Sequence, residues 1–498
     1  MQATVRDLIH RWAALQPETR AVIDPGRREV TYRELAVISE RIGEDLRARG
    51  VRRGDRVAIM LPPSAEAVIW VLAASCWATA AAVHVDAGQD DLAVIATLMR
   101  PAVVVTSASH RSRATALDAQ VAILGGDWMI AGGPSASAEN DPAMPDDVAM
   151  ILTTSGSTGA PKLVQRTHRN VLPDAPIEIA AFGLAAGDAT VVSAQPFHSI
   201  GIAAYTLSLT IGGTLVIPRR ADPTSVLEVV HRYRPAMVRG TPLLYQQMLQ
   251  ARRDDGGDEH LKGIVTAGAH AGRVQLAEMA EAFGAPAMNV YGMSEAWKMA
   301  TEVVRPGEDA ADLATGLTVS PGVELAIADE GGTRLPPGVA GEVVTRGAHV
   351  FAGYLGAEEL TAAVIDAEGW FHTGDAGMLD AAGRLHLVGR LSDLVNRGGE
   401  KIAPVLVEEV LALHDTVAEA VAFGVPHETL GEDLVAAVVL REGEAADLRE
   451  LRRHLLDHLA ASQVPRTIRV VRRLPQTASG KISRKDLAAW HAEGYPER

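Results

Sequence analysis

The chain has 498 residues, of which 47% are apolar and 22% charged, and its formal net charge is −15. That length exceeds a single hydrophobic core, so a globular enzyme of two or more domains is expected. The acidic balance lacks the basic footprint of a sequence-independent nucleic-acid binder. The one cysteine, Cys76, excludes an internal disulfide and fits a reducing cytoplasm, the expected compartment.

The N-terminal segment carries Arg6, Asp7, Arg11 and Glu18 in a helical pattern, which is not that of a secretory signal. The longest apolar run, 68–85, is alanine-rich and contains Ser75, Thr79 and His84. It reads as a buried helix feeding a strand, not as a membrane span, with Cys76 as a small buried hydrophobe. β-branched runs at 57–61, 102–106, 148–152, 214–217 and 264–267 alternate with helical patterns. This predicts α/β layers with mainly parallel sheets. Residues 135–147 read as a polar, proline-bearing loop. From Gly322 onward, strand-like stretches with turn signals at 330–332 and 336–338 predict a small β-rich subdomain. A boundary is expected at 390–393, dividing a 1–391 core from a 392–498 unit. In that unit 405–413 and 448–459 read as helices and 418–425 and 434–440 as strands, a small α+β domain.

The most informative run is Leu152-Thr-Thr-Ser-Gly-Ser-Thr-Gly-Ala-Pro-Lys162, with five hydroxyls, two glycines and one lysine. Glycines let backbone N–H groups turn toward a phosphate, hydroxyls donate further bonds, and Lys162 adds a point charge. The Walker A pattern is absent. A flexible Ser/Thr/Gly linker is the alternative reading.

Further motifs follow in order: Pro196-Phe-His-Ser-Ile-Gly201, Asn289-Val-Tyr-Gly-Met-Ser-Glu295 and Trp370-Phe-His-Thr-Gly-Asp375. Then come Gly389-Arg-Leu-Ser-Asp-Leu-Val-Asn-Arg-Gly-Gly-Glu-Lys401 and Pro475-Gln-Thr-Ala-Ser-Gly-Lys-Ile-Ser-Arg484. Together with the first run they resemble the core motifs of the adenylate-forming superfamily, which includes acyl-CoA synthetases, peptide-synthetase adenylation domains and firefly luciferase. Arg166-Thr-His168, Gly292-Met-Ser-Glu295, Ser320-Pro321 with Glu324, and 396–401 look most like stand-alone aryl-acid adenylating enzymes. The resemblance implies a large core of stacked α/β sheet subdomains with a small β-rich subdomain, and a small mobile C-terminal domain. In relatives that domain turns about a hinge two residues after the arginine that matches Arg390. Here Ser392 takes the position of the usual Asp or Lys and is followed by Asp393.

The resemblance implies ATP and Mg²⁺ as cofactors, with a nucleotide site of Thr154, Ser155, Gly156, Ser157, Thr158, Gly159, Lys162, Gly268, Val290, Tyr291, Gly292, Met293, Ser294, Glu295, Asp375, Arg390 and Lys481. Within it Asp375 resembles a ribose-binding aspartate, with Arg390 as its partner. A carboxylate suits two vicinal hydroxyls, whereas a β-turn aspartate is the alternative. Tyr291 offers a flat face to adenine or is a core aromatic. Glu295 suits Mg²⁺, or a helix N-terminus. Lys481 resembles the lysine that bridges carboxylate and phosphate, and otherwise is a solvated lysine. Lys481, His198 and Lys162 are the catalytic candidates. A carboxylate needs no deprotonation at neutral pH, so His198 is expected to position rather than act as a base.

The acid is expected to meet His198, Ser199, Gly268 and Lys298. Ser199 replaces the Asn of 2-hydroxybenzoate-type relatives, and an α-amino acid is disfavoured because 197–201 contains no Asp. If Lys298 faces the pocket, a second polar or anionic group on the substrate is implied; otherwise it is a surface lysine. The expected reaction activates an aryl or similar carboxylic acid and transfers it to a pantetheine thiol. The acceptor is a carrier protein acting in trans or, alternatively, CoA. A luciferase-like oxygenase and a non-catalytic acyl-adenylate sensor are the other classes. No membrane or nucleic-acid partner is expected.

Overall fold

A computed structural model describes residues 3–130, 141–155, 161–172, 175–193, 198–251, 260–268, 271–308, 316–441, 443–445, 447–475 and 482–495. Among these residues the strands form four sheets. The largest has nine strands in the order Thr318–Val319, Ala300–Val304, Ala287–Tyr291, Gly263–Ala267, Met237–Gly240, Ala189–Val192, Thr214–Val216, Arg20–Asp24 and Arg28–Thr31. Its six strands from Ala287–Tyr291 to Arg20–Asp24 are parallel. The expectation of mainly parallel sheets thus holds at its centre, where helices cover both faces and every strand is free to be apolar.

The second sheet has seven strands, with Arg56–Met60, Thr79–Ala82, Val103–Thr106 and Gln120–Ile123 parallel. Its far side is the antiparallel pair Val148–Ser155 and Pro161–Thr167, edged by Gly353–Tyr354. The hydroxyl-rich run therefore begins as a strand and returns as one. Gly156, Ser157, Thr158 and Gly159 lie outside the described residues.

Sequence signals explain the main helices. Thr4 with Asp7, and Thr31 with Glu34, form capping boxes that start Val5–Leu15 and Tyr32–Ala48 by satisfying otherwise orphaned N–H groups. Ala65–Ser75 is buried on nearly all sides, Glu66 alone being half-buried, as its almost wholly apolar composition demands. It feeds the strand Thr79–Ala82, and burial pushes the Cys76 thiol up to about 12. A single core draws on these three helices and on strands of both large sheets.

The third sheet is antiparallel: Glu324–Ala328, Gly341–Arg346, Phe371–Leu379 and Leu385–Arg390. A short turn, Leu391–Asp393, leads to the last sheet, whose strands are Val395–Arg397, Glu400–Ile402, Val417–His427, Gly431–Leu440 and Thr467–Val470. Helices Pro404–Ala412 and Leu448–His458 contribute to its separate core. The result is a large N-terminal domain and a small C-terminal one. No helix among the described residues is long and apolar enough to cross a membrane.

Candidate active site

The site forms where the three N-terminal sheets meet. Asp375 is mid-strand in Phe371–Leu379, not in a turn, and is 6% exposed. Its Oδ1 lies 2.8 Å from Arg390 Nε, the residue opposite it in register, and its Oδ2 accepts a 2.7 Å bond from the Tyr291 hydroxyl. Burial raises the Asp375 carboxyl, opposed by Arg390, and burial with the adjacent carboxylate drives the Tyr291 phenol well above its ordinary value. Residues read from separate motifs thus share one hydrogen-bonded group.

Glu295 follows Tyr291 by one tight loop. Met293 N–H donates to the Ala296 carbonyl at 2.8 Å, and Met299 N–H to that of Tyr291 at 2.9 Å. A side chain at Gly292 would put its Cβ 2.7 Å from the Lys298 backbone nitrogen, so glycine is required by close approach. No helix follows Glu295, which corrects the helix N-terminus reading. Its Oε1 accepts a 2.8 Å bond from the Tyr354 hydroxyl. Burial, then the Glu295 charge, raises that phenol. Lys162 Nζ stands 5.3 Å from the Tyr354 ring centre, because Tyr354 pairs in register with Val164 on the strand that carries Lys162. Lys162, Tyr354 and Glu295 therefore form a chain.

Arg166 secures this loop. Fully buried, it donates from Nη1 to the carbonyls of His349 (2.8 Å) and Glu295 (3.1 Å) and from Nη2 to that of Asn170 (2.9 Å). Its guanidinium lies 4.1 Å from the Trp297 ring centre.

His198 is exposed and directly precedes the helix Ser199–Ile211. Gly268 has φ +85°, and its hypothetical Cβ would lie 3.0 Å from Ile200 Cδ1, so it packs on that helix's first turn. The expected acid-site residues His198, Ser199 and Gly268 are thus neighbours. Lys298 is not a surface lysine: it is 3% exposed, and its Nζ is 3.0 Å from Glu178 Oε1. Thr154 ends near Lys162 through register pairing. Lys481 lies outside the described residues.

The geometry agrees with the comparisons. Residues 9–355 match the profile described as AMP-binding enzyme, and 406–481 that of the AMP-binding enzyme C-terminal domain. The oxalate–CoA ligase of Arabidopsis thaliana is 32% identical, over 97% of this chain and 98% of its own. The feruloyl-CoA synthase of an Amycolatopsis species is 33% identical, over 96% and 97%. The structure of o-succinylbenzoate CoA synthetase from Bacillus subtilis with its acyl-adenylate intermediate superposes with a TM-score of 0.82 at 28% identity, covering 96% of this chain and 97% of that one. The chain belongs to the AMP-binding enzyme family. It is an adenylate-forming ligase that activates an acid with ATP.

Proposed function

We propose that the enzyme joins a carboxylic acid to CoA through an acyl-adenylate. The observation that carries this is the Tyr291–Asp375–Arg390 group. Its buried carboxylate suits the two ribose hydroxyls, Arg390 holds that carboxylate in place, and the Tyr291 ring flanks the adenine. Val290, Gly292, Met293 and Ser294 form the rest of that wall. Thr154 through Gly159, with Lys162, receive the phosphates.

In the first step a carboxylate oxygen bonds to the α-phosphorus of ATP as the bond to pyrophosphate breaks. Both reactants are anions, so alignment and charge neutralisation are the protein's main tasks. Lys481 and Lys162 supply positive charge, and His198 and Ser199 hold the acid. Mg²⁺, when bound, offsets charge on the leaving pyrophosphate. Glu295, whose Oε1 accepts from the Tyr354 hydroxyl, would hold the ion as an oxygen ligand, the donor type this hard cation prefers.

In the second step a thiol attacks the acyl carbon and AMP leaves. The full-length similarity to CoA ligases favours free CoA as acceptor. We place the division between the 1–391 core and the 392–498 domain at the Leu391–Asp393 turn, with Ser392 and Asp393 as its hinge. Incubation with ATP, an activated acid and either CoA or a phosphopantetheinylated carrier protein tests the acceptor. Acyl-CoA is expected. Thioester on the carrier alone would overturn the CoA assignment and leave the first step intact.

A further inference from the structure

We propose that Tyr354 is a positioning residue for Mg²⁺ and ATP, its hydroxyl fixing the Glu295 carboxylate before the ion arrives; this rests on the reading of Glu295 as the magnesium ligand above.

One short segment, 350–354, grips the Glu295 region at three points. Val350 bridges Ala296 in antiparallel fashion, the Phe351 N–H donates to the Glu295 carbonyl at 2.8 Å, and the Tyr354 hydroxyl donates to Glu295 Oε1 at 2.8 Å. The first two contacts fix only backbone. A glutamate side chain still turns about several bonds, and holding it in one rotamer costs conformational entropy. The third contact holds the carboxylate itself, and a carboxylate has a second oxygen for a cation.

Tyr354 suits this task because it is held rigidly. It is 5% exposed. Its ring meets Phe351 edge-on, with centres 4.8 Å apart, and Phe351 meets Phe371 in the same way at 5.5 Å. The Tyr354 N–H donates to Thr361 Oγ1 at 2.9 Å, and that hydroxyl donates to the Ala357 carbonyl at the start of the helix Glu358–Val364. Gly353 has φ +120°, and its hypothetical Cβ would lie 2.9 Å from Thr361 Cγ2, so the strand rests directly on that helix. All of these contacts would survive with phenylalanine at position 354, and Phe351 and Phe371 show that this core accepts a plain ring. The hydroxyl is surplus to packing, and the group it meets is the carboxylate. The ring also borders the phosphate run: Tyr354 pairs in register with Val164, and Lys162 Nζ stands 5.3 Å from the ring centre. One side chain outside the motifs thus touches both the residue proposed for the ion and the lysine proposed for the phosphates. Groups that orient a metal-binding carboxylate are worth about 10- to 100-fold in metal affinity.

The test is ATP binding to the full-length enzyme by titration calorimetry with no acid present, so that no turnover occurs. Each protein is titrated in EDTA and in excess Mg²⁺, and the ratio of the two Kd values measures what the ion contributes. In Tyr354→Phe that ratio is expected to fall about tenfold, and the free Mg²⁺ giving half-maximal pyrophosphate exchange to rise by a similar factor. Glu295→Gln should lower the ratio at least as far. Adding Tyr354→Phe to it should cause no further loss, because the hydroxyl acts through that carboxylate. Thr361→Val should lower the ratio in the same direction; should Tyr354→Phe not fold, an unchanged ratio in Thr361→Val overturns the inference. A wild-type ratio in Tyr354→Phe, or losses that multiply in the double variant, overturns the inference alone. A wild-type enzyme indifferent to Mg²⁺, or a wild-type ratio in Glu295→Gln, removes the magnesium ligand from the proposed function and the inference with it.

Discussion

Arg166→Lys probes the clasp that holds the Tyr291–Met299 loop, the proposed nucleotide loop. The guanidinium makes bonds of 2.8, 2.9 and 3.1 Å to the carbonyls of His349, Asn170 and Glu295 and stacks on Trp297. A lysine ammonium at this depth reaches one of those carbonyls, so two charge-assisted bonds are lost. At roughly 1.5–3 kcal/mol each, that amounts to about 3–6 kcal/mol. The guanidinium is fully buried, so solvent screening does not reduce the figure. Such a loss is a large part of a typical stability of about 5–15 kcal/mol. Urea unfolding followed by tryptophan fluorescence should show the midpoint falling without a change in slope. The same variant should need more ATP and Mg²⁺ for half-maximal exchange, because Glu295 loses a backbone anchor. A stability loss below about 1 kcal/mol would refute the reasoning, since that is the size of one ordinary surface contact.

Asp375→Asn should raise the KM for ATP about 10- to 100-fold, the value of one or two charged hydrogen bonds to ribose. Stability should change by less than about 1 kcal/mol, because the Arg390 side chain is 54% exposed and its pair is screened; an unchanged KM would remove Asp375 from the nucleotide site. Gly292→Ala forces a Cβ to within 2.7 Å of a backbone nitrogen. Its exchange rate should fall by about tenfold or more, and wild-type kinetics would show that the loop tolerates a side chain. Burial holds His168 at about 4, and burial with Arg166 nearby holds His349 at about 4. Both lie below the unfolded value of about 6.5, so the unfolded chain binds more protons between those limits and stability falls as pH drops through the window. Each ring contributes ~3 kcal/mol, and the urea midpoint should decline steeply from pH 7 to 4.5; a flat profile would contradict the neutral buried rings.

The motifs were legible because their patterns are local: a Ser/Thr/Gly run, a tyrosine before a glycine loop, an aspartate after Thr-Gly. The strands were legible from β-branched runs, as at Gly263–Ala267 and Val103–Thr106. What the sequence hid was long-range. Tyr354 looks like a core aromatic until the edge strand places it against Glu295, 59 residues away in sequence. Arg166 was visible as part of a motif, but its purpose depends on a carbonyl 183 residues distant. Glu178 and Arg239 gave no signal, since a charged residue on a helix or at a strand end is ordinarily solvated. Lys298 misled for the same reason: it is buried and pairs with Glu178. Nothing in the run 289–295 shows that Glu295 starts no helix, because the Gly292 loop closes through backbone bonds.

Acid-dependent exchange of labelled pyrophosphate into ATP, run on wild-type enzyme and Lys481→Ala, tests the central claim most directly. The account predicts exchange by the wild type only when an acid is present. It predicts a loss of about 100-fold or more in Lys481→Ala, in keeping with removal of a charge aimed at the transition state. That variant should still convert preformed adenylate to thioester. Normal exchange in Lys481→Ala, or no exchange by folded, ATP-binding wild-type enzyme with any acid, would contradict it.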